Sequence, residues 1–200
     1  MKVITFKGGY DRNFSYLIYD SKSKDAFVID PFDDISLYLN KAKDVSINIA
    51  GVLNTHGHFD HIQGNKAFES HGIKVISNDK SPINLGNVDI KVIKTPGHTK
   101  DSICFYIDRK VFTGDTLFVS KIGGTGTQEE AKEQFISLKK LTELLDNTIV
   151  YPGHDLGTTP TSTIENEKKN NPFIQRLNNF EDFLWLKENW GEYKKEHGLA

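Results

Sequence analysis

A chain that places His-Gly-His-Phe-Asp-His in one run, residues 56–61, must fold so that imidazoles and a carboxylate face one another. Two further histidines, His98 and His154, each follow Pro-Gly, and Asp115 follows Gly114 in Thr113-Gly114-Asp115-Thr116. Each of these positions comes shortly after an apolar stretch that reads as a strand. The fold therefore has to bring four strand ends to one edge. Five of the seven histidines belong to this set; His71 and His197 read as ordinary surface residues.

The spacing suggests how the side chains are shared. In extended backbone alternate side chains lie on one face, so His56 and His58 reach a common point. Gly57 lets the chain bend between them without a Cβ clash. Asp60 and His61 come where the loop turns into a helix, and diverge toward a second point. A carboxylate has two oxygens, which makes Asp115 the natural bridge. The expected arrangement is one ion on His56, His58 and His98, another on Asp60, His61 and His154, and Asp115 shared. Zinc sites with about three protein ligands leave a position for water, and paired ions lie roughly 3.5–4 Å apart. The expected cofactors are two divalent ions, zinc with iron or manganese as alternatives. Asp60 and Asp115 are the expected catalytic carboxylates. Asp155 reads as a residue that orients a ligand or makes a turn rather than binding an ion. Cys104 has no adjacent base and reads as a small buried apolar residue.

Composition excludes several function classes. A net charge of −2 gives no basic footprint for nucleic acid. No apolar run approaches the roughly 20 residues of a membrane span, and the N-terminus has no signal-peptide pattern. A cytoplasmic protein acting on a small molecule is expected, with homo-oligomerisation left open. One cysteine permits no intrachain disulfide.

Alternation and turn residues predict strands over 2–6, 14–19, 26–29, 49–53, 74–77, 88–94, 103–107, 111–113 and 148–151. Helices are expected over 35–42 with Asp33 as its cap, over 62–70 closed by Gly72, and from a Thr127/Glu130 capping box through Leu145. A Ser162/Glu165 capping box opens another helix, which stops at Asn171 ahead of Pro172. A last helix carries Phe173, Leu177, Phe180 and Leu184. The expected division is a core of residues 1–160 and a helical segment of 161–200 packed on it. Gly123, Gly124 and Gly126 suggest a mobile loop at the pocket rim.

These motifs resemble the metallo-β-lactamase-fold hydrolases of the glyoxalase II type. His56-Gly57-His58-Phe59-Asp60-His61 matches the HxHxDH signature, and 95–99, 112–118 and 151–155 match the later ligand blocks in order, over about residues 10–175. The resemblance implies an α/β fold, a four-layer αββα sandwich with its ligands on loops at one edge of two sheets. Lactam-cleaving relatives of the best-known class carry cysteine where this chain has Asp115, and flavin-linked di-iron relatives carry an acid where it has His58. RNA-processing relatives add large recognition segments that this chain lacks. Two branches remain. One is thioester hydrolysis by a hydroxide held between two metal ions. The other is a persulfide dioxygenase with a single Fe(II) on residues matching His56, His98 and Asp115, a set suited to oxygen activation. A non-catalytic metal-binding module is a third possibility from a different class. The Lys and Tyr that glyoxalase II enzymes use for glutathione are displaced and missing in 121–127, and the dioxygenases' arginine is missing there too.

Overall fold

The computed structural model describes residues 1–77 and 81–198. The last two residues of the expected C-terminal segment lie outside the described residues.

Two mixed sheets form the centre. The first runs in the order β1 (Lys2–Gly8), β2 (Asn13–Tyr19), β3 (Asp25–Ile29), β4 (Asn48–Leu53). The second runs β10 (Ser162–Thr163), β9 (Ile149–Pro152), β8 (Lys110–Gly114), β7 (Ile103–Ile107), β6 (Val88–Lys94), β5 (Ile83–Leu85). The β3–β4 and β8–β9 pairs are parallel and the others antiparallel.

Side-chain alternation builds the layers. Along β2, Phe14, Tyr16 and Ile18 face Phe105, Ile107 and Phe112 of the second sheet across a shared core. Leu17, from the opposite face of β2, joins Val28 and Val52 beneath helix α1 (Ser36–Asp44) and α3 (Asn65–Ser70), through Tyr38 and Phe68. The outer face of the second sheet, with Cys104, Val111 and Val150, is covered by α4 (Gln128–Thr142), α5 (Ile164–Asn170) and α6 (Phe180–Glu188). This is the four-layer αββα sandwich. A one-turn helix α2 (Phe59–Ile62) and a terminal α7 (Trp190–Glu196) complete the chain. Among the described residues no helix is long and apolar enough to cross a membrane.

Several boundaries differ from those expected. The helix read over 62–70 is two helices, because Gly64 sits against the neighbouring chain: its N–H donates to Pro31 O at 3.0 Å, and a Cβ there would lie 2.2 Å from Phe32 O. Ser162 is drawn into a strand pairing with Val150, so the cap passes to Thr163, whose hydroxyl accepts from Asn166 N. The Thr127/Glu130 capping box forms as expected, but its helix ends at Thr142 and leaves Leu145 exposed. The stretch from Phe173 is a 3-10 turn, Ile174–Arg176, followed by a new helix that Asn179 caps through Glu181 N and Asp182 N. Asp33 caps nothing, since α1 opens at Ile35 without a side-chain cap. Val75 makes only an isolated bridge to Val52 in place of the strand expected over 74–77.

The C-terminal helices dock through aromatic contacts. Phe183 is fully buried, with ring centroids 5.3 Å from Phe135 and 6.0 Å from Phe173. Phe183→Ala is expected to cost about 3–5 kcal/mol. That corresponds to a fall of roughly 10 °C in Tm for a chain of this size, measured by thermal denaturation. An unchanged Tm would mean that the helix contributes little to the core.

Candidate metal centre

Every expected site residue follows the C-terminal end of a strand. His56 comes three residues after β4, His98 four after β6, Asp115 directly after β8, and His154 two after β9. Direct contacts pin these ends together. Phe14 N donates to Gly153 O at 2.8 Å, Gly153 N to Gly114 O at 2.9 Å, and the Tyr16 hydroxyl to Pro152 O at 2.6 Å. Gly153 is needed for the close approach: a Cβ there would lie 2.5 Å from Asp115 Oδ1 and 2.9 Å from His61 Cε1.

All seven side chains singled out from the sequence converge. His58 Nδ1 lies 3.1 Å from His56 Nε2 and 3.0 Å from His98 Nε2. His154 Nε2 lies 3.3 Å from His61 Nε2 and 3.4 Å from Asp60 Oδ2. Asp115 stands between the two groups, with Oδ2 3.4 Å from His98 Nε2 and Oδ1 3.3 Å from both His61 Nε2 and His154 Nε2. Three sets have donor atoms close enough for one ion: His56, His58 and His98; Asp60, His61 and His154; and His56, His61 and Asp115.

The donor atoms fit cations better than they fit one another. Asp115 Oδ1 is buried and accepts no hydrogen bond, although two imidazole nitrogens lie beside it. Its contacts with His61 and His154 at 3.3 Å are charge contacts rather than hydrogen bonds, and a cation between these donors would satisfy the oxygen. Burial, followed by the neighbouring His61, pulls His56 down to about 4. For His61 burial also opposes charge, but the Asp30 and Asp115 carboxylates outweigh it and push the ring up to about 10. Burial disfavours the Asp115 carboxylate, yet His154 and His61 hold it well below its ordinary range.

A set of residues that the motifs did not reveal fixes the imidazoles from behind. His61 Nδ1 lies 2.9 Å from Asp30 Oδ2, His98 Nδ1 donates to Gly124 O at 2.8 Å, and His154 Nδ1 to Asp11 O at 2.8 Å. Asn13 Nδ2 donates to Asp60 Oδ2 at 2.8 Å. Such contacts set which ring nitrogen keeps a lone pair for an ion. The glycine run read as a mobile rim is tied down: Gly123 O accepts from Gln134 Nε2 at 3.0 Å and from Lys187 Nζ at 3.2 Å, beside the Gly124–His98 bond. Asp155 pairs with Lys7 rather than with an imidazole of the site. His71 and His197 bond to carbonyls of their own helices. Cys104 is fully buried, and burial pushes its thiol up to about 12.

Comparison with known proteins agrees with this geometry. The family model described as the metallo-beta-lactamase superfamily matches residues 8–81 and 74–154. The chain belongs to that superfamily. Within it, a probable hydroxyacylglutathione hydrolase of Schizosaccharomyces pombe is 35% identical over 74% of this chain, which spans 65% of that relative's length. The probable polyketide biosynthesis zinc-dependent hydrolase BaeB of Bacillus velezensis is 27% identical over 94% of this chain and 90% of its own. Among solved structures of the superfamily, ETHE1 from Myxococcus xanthus superposes with a TM-score of 0.85 at 29% identity, covering 95% of this chain and 91% of its own.

Proposed function

We propose that this chain is a metal-dependent hydrolase that cleaves thioesters at a two-ion centre. The observation that carries the reading is Asp115, whose two oxygens face the two ligand groups on either side. His56, His58 and His98 would hold one ion, and Asp60, His61 and His154 the other. Two divalent ions, zinc or iron, supply a polarised carbonyl and a hydroxide at neutral pH when bound. Asp60, steadied by Asn13, orients the attacking water and accepts its proton. The departing thiolate is stable enough to leave without a dedicated acid. Hydroxyacylglutathione hydrolases and a zinc-dependent hydrolase among the relatives support a small acyl substrate and zinc. The C-terminal helices α5, α6 and α7 serve the two-sheet core as a packed cover.

A second reading is iron-dependent oxidation of a persulfide at His56, His98 and Asp115. The likeness to ETHE1 over nearly the whole chain favours it. Elemental analysis of anaerobically purified protein, with parallel assays of thioester cleavage and persulfide-dependent oxygen uptake, separates the two. The hydrolase reading expects about two ions per chain and thiol release, with both lost in His58→Ala and in His98→Ala. One iron per chain, oxygen uptake, and an active His58→Ala variant would replace it with the second reading.

A further inference from the structure

The cleft over the metal centre has a polar floor and an apolar rim. It measures about 600 Å³ and is lined by Tyr10, Asp11, His58, Phe59, Asp60, Asp115 and His154. Among the described residues six large apolar side chains are exposed, and the two most exposed are Tyr10 at 86% and Phe59 at 74%. Both lie on this cleft. Apolar surface left in water forgoes the stabilisation that burial gives, and isolated exposed apolar residues need no explanation. Two aromatic rings flanking one set of candidate ligands are not isolated.

Neither ring is carried by a loose segment. Phe59 opens α2 between His58 and Asp60, so its backbone is held by the residues on either side. Tyr10 sits in the β1–β2 turn. That turn is tied to the site by the Asp11 O–His154 Nδ1 bond at 2.8 Å and by Asp155 N donating to Arg12 O at 2.9 Å. A second cavity, of about 440 Å³, differs in character: Arg12, Lys121 and Lys194 line it beside Phe118, Ile122 and Trp190, and its cationic side chains suit a polar or anionic thiol carrier. The apolar rim is then left to the other half of a thioester.

Resting on the thioester-hydrolase reading, we infer that Tyr10 and Phe59 bind the acyl group, and that the preferred substrates carry an extended apolar or aryl acyl chain rather than a short hydroxyacyl group. The carbonyl lies over the floor and the chain runs out between the two rings, which gain contact area only when the acyl group is long enough to reach them.

The test uses the metal-loaded full chain and N-acetylcysteamine thioesters that differ only in their acyl group: acetyl, lactoyl, hexanoyl and phenylacetyl. For the wild type, kcat/KM is expected to be about tenfold higher for hexanoyl and phenylacetyl than for acetyl and lactoyl, mainly through KM. A tenfold ratio corresponds to about 1.4 kcal/mol of differential binding. Tyr10→Ser and Phe59→Ser should each shrink that ratio about threefold, and the double variant should bring it close to one. Rates that ignore the acyl group, or ratios unchanged in the variants, would overturn the inference and leave thioester hydrolysis standing. The same follows if the variants change the ratio between coenzyme A and N-acetylcysteamine carriers and not the acyl ratio, because the rim would then hold the carrier. Cleavage of none of these thioesters would reject the hydrolase reading and the inference together.

Discussion

Asp115→Asn is expected to lower thioester turnover about 10²–10³-fold, the scale on which loss of one transition-state electrostatic contact is felt. Bound metal should fall from about two ions to one or fewer. The change keeps the shape of the side chain, so its effect is one of charge and donor chemistry. Oδ2 lies 3.4 Å from His98 Nε2, and Oδ1 lies 3.3 Å from His61 Nε2 and His154 Nε2. Asparagine has to present its amide hydrogens to one of these two sides, and a hydrogen there occupies the direction a cation would take. Turning the amide over only moves the loss to the other group. In the proposed sharing the imidazoles and Asp60 each serve one side, so Asp115 is the ligand that faces both. Elemental analysis and turnover, with circular dichroism to show that the fold survives, decide the matter. A variant that keeps two ions and full activity would mean that Asp115 does not bridge.

The convergence of the candidate ligands was legible because short motifs carry them. Within 56–61 the donors are neighbours in sequence, and His98, Asp115 and His154 each follow a glycine at a strand end. The four layers followed from the family resemblance, whereas the apolar stripe of α4 was a local pattern. What could not be read depends on contacts between distant parts of the chain. Gly64 breaks a helix only because Pro31 and Phe32 pass against it. Ser162 loses its capping role only because Val150 pairs with it. The Asp11 carbonyl that holds His154 is separated from it by 143 residues. Backbone carbonyls such as Asp11 O and Gly124 O leave no trace in residue identity at all. Asp30 did leave a signal, as an aspartate directly after the apolar strand that ends at Ile29; the structure places it at φ of 51°, a left-handed conformation uncommon for a residue with a side chain.

Asp30 carries the second large expectation. Its carboxylate is almost fully buried, at 3% exposure. Oδ1 accepts from Thr55 N at 2.8 Å, while Oδ2 accepts from the Thr55 hydroxyl at 2.7 Å and lies 2.9 Å from His61 Nδ1. With a carboxylate there, His61 holds its Nδ1 proton, so Nε2 is the nitrogen that gives up its proton when an ion binds at the centre. In Asp30→Asn the amide oxygen must stay toward the Thr55 N–H, so the NH₂ group faces His61. Nδ1 is then forced to accept, the proton moves to Nε2, and the nitrogen that should meet an ion carries a hydrogen instead. Metal affinity at that site is expected to fall about 10–100-fold, the usual range for losing a partner that orients a ligand. Asp30→Ala removes the tautomer constraint but leaves the Thr55 N–H buried and unpaired, which costs about 1–3 kcal/mol. The two variants should therefore separate: Asp30→Asn loses more metal affinity than stability, and Asp30→Ala is the less stable protein. Metal titration beside thermal melts of the metal-free variants measures both quantities. If Asp30→Asn binds metal as the wild type does, the proton on His61 is not set by Asp30, and the orientation of that ligand must come from the packing around its ring.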